Sequence, residues 1–176
     1  TIDNIELDKN NIEFNYATQF VKDTDKLVYL TGKAGTGKTT FLKSLKSNTS
    51  KNTVILAPTG VAAINAGGQT INSFFHLPFG PFVVNDKRLR TSKELGDLDN
   101  TTIYSTFKYR DDKKIIIEQL ELLIIDEISM VRCDTLDVID KILRVFRKKP
   151  FLPFGGVQVI LIGDTFQLPP VRKFDE

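Results

Sequence analysis

The stretch Leu27-Val28-Tyr29-Leu30-Thr31-Gly32-Lys33-Ala34-Gly35-Thr36-Gly37-Lys38-Thr39-Thr40 decides how the rest of the chain is read. It opens on a short apolar run, passes through the pattern G-x-x-x-x-G-K-[ST] at residues 32–39, and leads into a helical pattern. Glycines in such a turn let successive backbone N–H groups curl around a phosphate. A helix starting at Lys38 aims its positive end at the same charge. Gly32, Ala34, Gly35, Thr36, Gly37, Lys38, Thr39 and Thr40 are therefore the candidates for holding a nucleotide's phosphates. Lys38 is placed to hold the β and γ phosphates, and Thr39 to offer its hydroxyl to Mg²⁺, which keeps most of its water and accepts few protein ligands.

Working outward, three further runs at residues 53–57, 122–125 and 157–162 share with 27–30 a continuous rather than alternating apolar character. That predicts strands buried on both faces, as in a parallel sheet. Between them lie helical patterns, the clearest over residues 134–148, with Leu136, Ile139, Ile142, Leu143 and Phe146 on one stripe. Asp134 is the expected N-cap, and Arg144, Arg147, Lys148 and Lys149 gather at the end where the helix dipole favours cations. Strands alternating with helices predict an α/β fold, a mostly parallel sheet with helices on both faces. Residues 78–114, rich in charge and turn formers, read as an excursion from that sheet and as its least ordered part. Each apolar run is followed at once by an unusual polar segment. Because parallel strands share one carboxyl edge, these segments converge on one crevice.

Leu122-Leu123-Ile124-Ile125-Asp126-Glu127 puts two carboxylates where a buried strand meets that crevice. Asp126 is expected to support Mg²⁺ through water, and Glu127 to position and deprotonate an attacking water, so the pair points to hydrolysis. After the last strand, Gly163-Asp164-Thr165-Phe166-Gln167-Leu168-Pro169-Pro170 sets the amide of Gln167 near the place of a γ phosphate. An amide bonds phosphate oxygen and attacking water together without carrying charge.

The 176 residues, 41% of them apolar, suffice for one core, and a single domain over 1–176 is expected. Lys plus Arg number 24 against 22 for Asp plus Glu, so no broad basic surface is available and any nucleic-acid contact must be local. The single cysteine, Cys133, excludes an intramolecular disulfide and favours a reducing, cytoplasmic setting. No apolar run approaches the roughly 20 residues that span a bilayer, so no membrane partner is expected. Thr1 in place of an initiating Met, and a stop at Glu176 soon after a motif, read as cut ends.

Taken in order, Gly32–Thr40, Ala57-Pro58-Thr59-Gly60-Val61-Ala62-Ala63, Asp126-Glu127-Ile128-Ser129-Met130 and the segment 163–170 resemble motifs I, Ia, II and III of superfamily-one helicases. The likeness is to the PIF-type and RecD-like branch, and the second of these segments with its sequel Gly67-Gly68-Gln69-Thr70-Ile71-Asn72-Ser73-Phe74-Phe75 is its most branch-specific part. The resemblance implies a RecA-like P-loop NTPase domain, ATP with Mg²⁺, and DNA unwinding with 5′-to-3′ movement. It also implies that motif Ia carries single-stranded DNA or a single-strand/duplex junction, with Pro58, Thr59 and Gly60 as backbone contacts. Thr70, Ser73 and Phe74 then lie near the strand's path. Hydroxyls and N–H groups hold phosphate, and an aromatic ring stacks on a base without choosing its sequence. For Phe74, Phe75, Phe79 and Phe82, core packing is the competing expectation.

The sequence departs from the branch at two places. The glutamine that reads adenine upstream of motif I has no clear counterpart, since Glu13-Phe14-Asn15 carries an Asn and the nearest glutamine is Gln19; the choice between Asn15 and Gln19 stays open. Asn72 occupies a place where a His is common, and His76 lies a turn later. The resemblance further implies a second motor domain of the same chain, supplying an arginine to the γ phosphate, and a monomeric enzyme. Without that arginine, whose loss costs on the order of 10³ to 10⁵ in rate, slow hydrolysis is expected. The alternative is a RecA-like or AAA+ ATPase that remodels protein, against which residues 58–75 argue.

Overall fold

A computed structural model of the chain describes residues 12–32, 37–78, 80–91 and 101–164, without the Thr39 side chain. The first helix, α1 (Ile12–Asp23), leads into strand β1 (Val28–Thr31), helix α2 (Lys38–Asn48), strand β2 (Thr53–Ala57) and helix α3 (Gly60–Ala66). Next come β3 (Gln69–Thr70), α4 (Ile71–Phe75), α5 (Ile103–Thr106), α6 (Asp111–Gln119), β4 (Leu122–Ile125), α7 (Cys133–Phe146) and β5 (Gln158–Gly163). The strands form one sheet in the order β1-β5-β4-β2-β3, every pairing parallel.

Alternate strand residues feed two separate cores, which is why the runs are continuously apolar. Leu56, Leu123, Ile125 and Val159 point to one side, where Ile71, Phe74, Phe75, Ile103, Ile117 and the apolar stripe of α7 cover them. Ile55, Leu122, Ile124, Ile160 and Ile162 point to the other, under Val21 of α1 and Phe41, Leu42 and Leu45 of α2. Burying each of these side chains contributes about 1.5–3 kcal/mol against a comparable ordering cost. The central strand β4 is buried on both faces along its whole length. The fold is the expected α/β arrangement with helices on both faces.

Three expectations need correction. The two-residue strand β3 was not foreseen; it pairs Leu56 with Gln69 and Ala57 with Thr70. Gly68 permits that approach, since a Cβ there would stand 2.2 Å from the Ile55 carbonyl oxygen. The excursion at 78–114 lies outside the sheet, but its described residues include a 3-10 turn (Lys87–Leu89), α5 and the start of α6. Asp134 is not the N-cap of α7; that position is Arg132, without a side-chain cap bond. The Asp134 carboxylate instead accepts from the backbone N–H of Phe82 at 3.0 Å and pairs with Arg132, tying the excursion to α7. Tertiary demand for an acceptor outweighed local capping. The excursion is braced again where Arg88 bonds both oxygens of buried Asp86, at 2.9 and 2.6 Å, and lies over the ring of Phe82.

Candidate nucleotide and nucleic-acid site

The register fixes the site before any side chain is considered. Thr31 at the end of β1 lies level with Gly163 of β5, and Ile125 at the end of β4 level with Leu161. The phosphate-loop strand and the acidic strand therefore flank β5 and stand roughly 10 Å apart, two strand spacings, enough for a triphosphate and its metal.

On the loop side, Gly37 is the N-cap of α2 with φ 81, a left-handed conformation that favours glycine. Phe14 of α1 lies beside it, where a Cβ on Gly37 would meet its ring at 3.4 Å, and stacks on Phe41 of α2 with centroids 5.0 Å apart. Helix α1 is thus fastened to the loop's exit. Asn15, next to Phe14, and Gln19, one turn further on, are exposed on α1. Lys38, the first residue of α2, donates from Nζ to the carbonyl of Gly32, spanning the two ends of the loop. Thr40 is exposed. Ala34, Gly35, Thr36, Gln167, Phe79 and the Thr39 hydroxyl lie outside the described residues.

On the acidic side, Asp126 leaves β4 with its N–H bonded to the Leu56 carbonyl at 2.8 Å and its carboxylate buried. Burial pushes its carboxyl up from the ordinary value; the Glu127 N–H, bonded to Oδ1 at 2.9 Å, and the Lys38 charge oppose this. Burial also raises Glu127, helped by the negative charges of Asp126 and Asp164 and opposed by Lys38. Lys38 acts on both carboxylates, so the phosphate-loop lysine and the acidic pair share one electrostatic neighbourhood. Glu127 has φ 53 and ψ 45, left-handed for a residue with a side chain, and begins the 3-10 turn Ile128–Met130. Such a conformation costs on the order of 1 kcal/mol and recurs at functional sites. Asp164, buried at the exit of β5, is a site residue that the sequence reading did not single out. Its signal was present, an acidic residue directly after the last buried strand.

Asp126 and Glu127 both feel the Lys38 charge, and Asp164 adds negative charge beside Glu127. Among the described residues no three ligating side chains converge on one point.

Beyond β2, Thr59 and Thr70 cap α3 and α4, each hydroxyl accepting a backbone N–H, from Ala62 and Ser73, at 3.2 Å. Each can still donate its hydroxyl proton to a phosphate oxygen. The pairing of Ala57 with Thr70 sets Pro58, Thr59 and Gly60 beside Thr70 and exposed Ser73 on the same carboxyl edge. Phe74 corrects the expectation of a stacking ring. It is 2% exposed, packed edge-on against Phe75 at 4.8 Å, so core packing prevails for both rings. His76, in a left-handed cap at φ 50, lies 5.7 Å from the ring of Tyr109.

The family model described as PIF1-like helicase matches residues 7–175. The ATP-dependent DNA helicase PIF6 of Trypanosoma brucei brucei is 39% identical over 151 residues, 84% of this chain and 17% of that protein. The ATP-dependent DNA helicase RRM3 of Saccharomyces cerevisiae is 37% identical over 156 residues, 85% of this chain and 19% of its own length. The chain thus spans about a fifth of these curated relatives. Among solved structures, the Bacteroides Pif1 helicase in complex with ADP-AlF3 and single-stranded DNA superposes with a TM-score of 0.78 at 47% identity, covering 94% of this chain and 34% of that one. By sequence, by RecA-like fold and by the placement of its motifs, the chain belongs to the PIF1-like helicase family.

Proposed function

We propose that the chain is the ATP-binding motor domain of a DNA helicase, one half of an engine completed by a second motor domain of the same protein. Mg-ATP binds between the loop around Lys38 and the Asp126–Glu127 pair. Lys38 holds the β and γ phosphates, Thr39 and Asp126 hold the metal, Glu127 takes a proton from the attacking water, and Gln167 senses the γ phosphate. Asn15 or Gln19 reads the base. Single-stranded DNA, or the strand leaving a junction, passes over Pro58, Thr59, Gly60, Thr70 and Ser73. Hydrolysis reopens the two motor domains and advances a monomeric, cytoplasmic enzyme 5′ to 3′.

The observation that carries this reading is the shared electrostatic neighbourhood of Lys38, Asp126 and Glu127 on the edge that also bears Thr59 and Thr70. The resemblance to a Pif1 helicase solved with ADP-AlF3 and single-stranded DNA supports both ligands. ATP turnover by the full-length protein should rise with added single-stranded DNA and be lost with its nucleotide binding in Lys38→Ala. Turnover stimulated by a protein substrate and indifferent to DNA would instead favour the protein-remodelling reading.

A further inference from the structure

The aromatic face that sequence alone would offer to a base is already occupied. The ammonium of Lys113 stands 3.4 Å from the centroid of the Phe74 ring. This lysine sits unfavourably by ordinary criteria. It belongs to the first turn of α6, where the helix dipole repels cations and where Asp111 and Asp112 are the expected residues. Burial pushes its ammonium down from the ordinary lysine value, with the charge of Asp112 opposing. Its acidic neighbours are engaged elsewhere, Asp111 with Lys114 at 2.9 Å and Asp112 with Arg110 at 3.8 Å. Among the described residues no carboxylate forms an ion pair with Lys113, and a neutral ring seats it instead.

The place of this cation matters as much as its chemistry. Thr70 is level with the last residue of β2 and α4 starts directly after it, so Phe74 lies one helical turn from the edge bearing Pro58, Thr59 and Gly60. The last residue of α6 lies at the sheet's amino edge, where Asn52 just before β2 donates to the Gln119 carbonyl at 3.2 Å. Tyr109, just ahead of the first turn of α6, donates to the Phe75 carbonyl of α4 at 2.6 Å, so α6 starts beside α4 and runs away from the carboxyl edge. We propose that Lys113 is a phosphate-binding residue of the single-strand track, held there by Phe74, whose ring carries the cation rather than a base. A quadrupole attracts an ammonium without neutralising it, and leaves N–H donors for a phosphodiester.

The inference rests on the reading of the chain as a DNA-translocating motor, and salt dependence tests the two separately. Binding of the full-length protein to a fluorescent oligodeoxythymidine is followed by anisotropy from about 50 to 200 mM salt, where each phosphate contact on a single strand contributes about 0.7 to the log–log slope. Lys113→Gln should lower the slope by about 0.7 and weaken binding about fivefold near 0.1 M salt. Lys113→Arg should keep the parental slope. Phe74→Leu should weaken DNA binding in the same direction, and Mg-ATP should raise the melting temperature of Lys113→Gln as it does that of the parent. A parental slope in Lys113→Gln overturns this inference alone; a parent that does not bind the oligonucleotide overturns the helicase reading with it.

Discussion

The backbone N–H of Glu127 donates to Oδ1 of Asp126 at 2.9 Å, so the residue with the left-handed backbone is the one that steadies its acidic neighbour. The bond turns one carboxylate toward the strand end while the other stands free of it. In the proposed function these two adjacent acids take different tasks, one toward a metal and one toward a water.

This arrangement costs stability. Both carboxyls are raised, so the folded state holds their protons more tightly than the unfolded chain does. Their stabilising contribution is therefore complete below the ordinary values of 3.8 and 4.5, and is lost as pH rises through the higher folded values. Glu127→Gln should raise the melting temperature of the chain at neutral pH by about 1 to 4 °C, within the range expected for relief of such a clash. A lower melting temperature in thermal denaturation would contradict the account.

Asp86 has the opposite sign. Its hydrogen bond and ion pair with Arg88 hold its carboxyl at about 2, below the ordinary 3.8. The stability it supplies is present above 3.8 and is lost as pH falls toward 2. Asp86→Asn should cost about 1 to 2 kcal/mol at pH 7, allowing for solvent screening of a partly exposed arginine. The difference from the parent should shrink as pH falls from 3.8 through about 2 in denaturant titrations.

Gly68 should tolerate no side chain. With the Ile55 carbonyl 2.2 Å from where a Cβ would stand, Gly68→Ala must push β3 from β2. A loss of about 2 kcal/mol is expected. Weaker binding of single-stranded DNA by the full-length protein should accompany it, because Thr70 moves with β3. Calorimetry of the chain and anisotropy of the full-length protein read the two effects.

Ser129 presents a buried hydroxyl without a hydrogen-bond partner among the described residues. Ser129→Ala should therefore be neutral or stabilising, by up to about 1 kcal/mol. A marked loss of melting temperature would show that the hydroxyl has a structural partner.

Much of this was legible in the sequence because it depends on residue type in a fixed order. Four apolar runs gave the four longer strands, and the acids after Ile125 could lie only at the carboxyl edge. What stayed hidden depends on tertiary partners. Asp134 has the composition of a cap, but the Phe82 N–H claims it from fifty-two residues away. Gln69–Thr70 is too short to show a period, and its pairing follows from Gly68 against Ile55. Phe74 looks the same in sequence whether it stacks on a base or fills a core. No local signal marks the left-handed Glu127, since backbones of that kind usually announce themselves through glycine.

The central claim is that one triphosphate is gripped at Lys38 while Glu127 activates the water that cleaves it. Single-turnover ATP hydrolysis by full-length Glu127→Gln at saturating single-stranded DNA, with ATP binding measured alongside, tests it most directly. Turnover should fall on the order of 10² to 10⁴ fold, the usual weight of a general base, with binding retained. Parental turnover in Glu127→Gln would contradict the account.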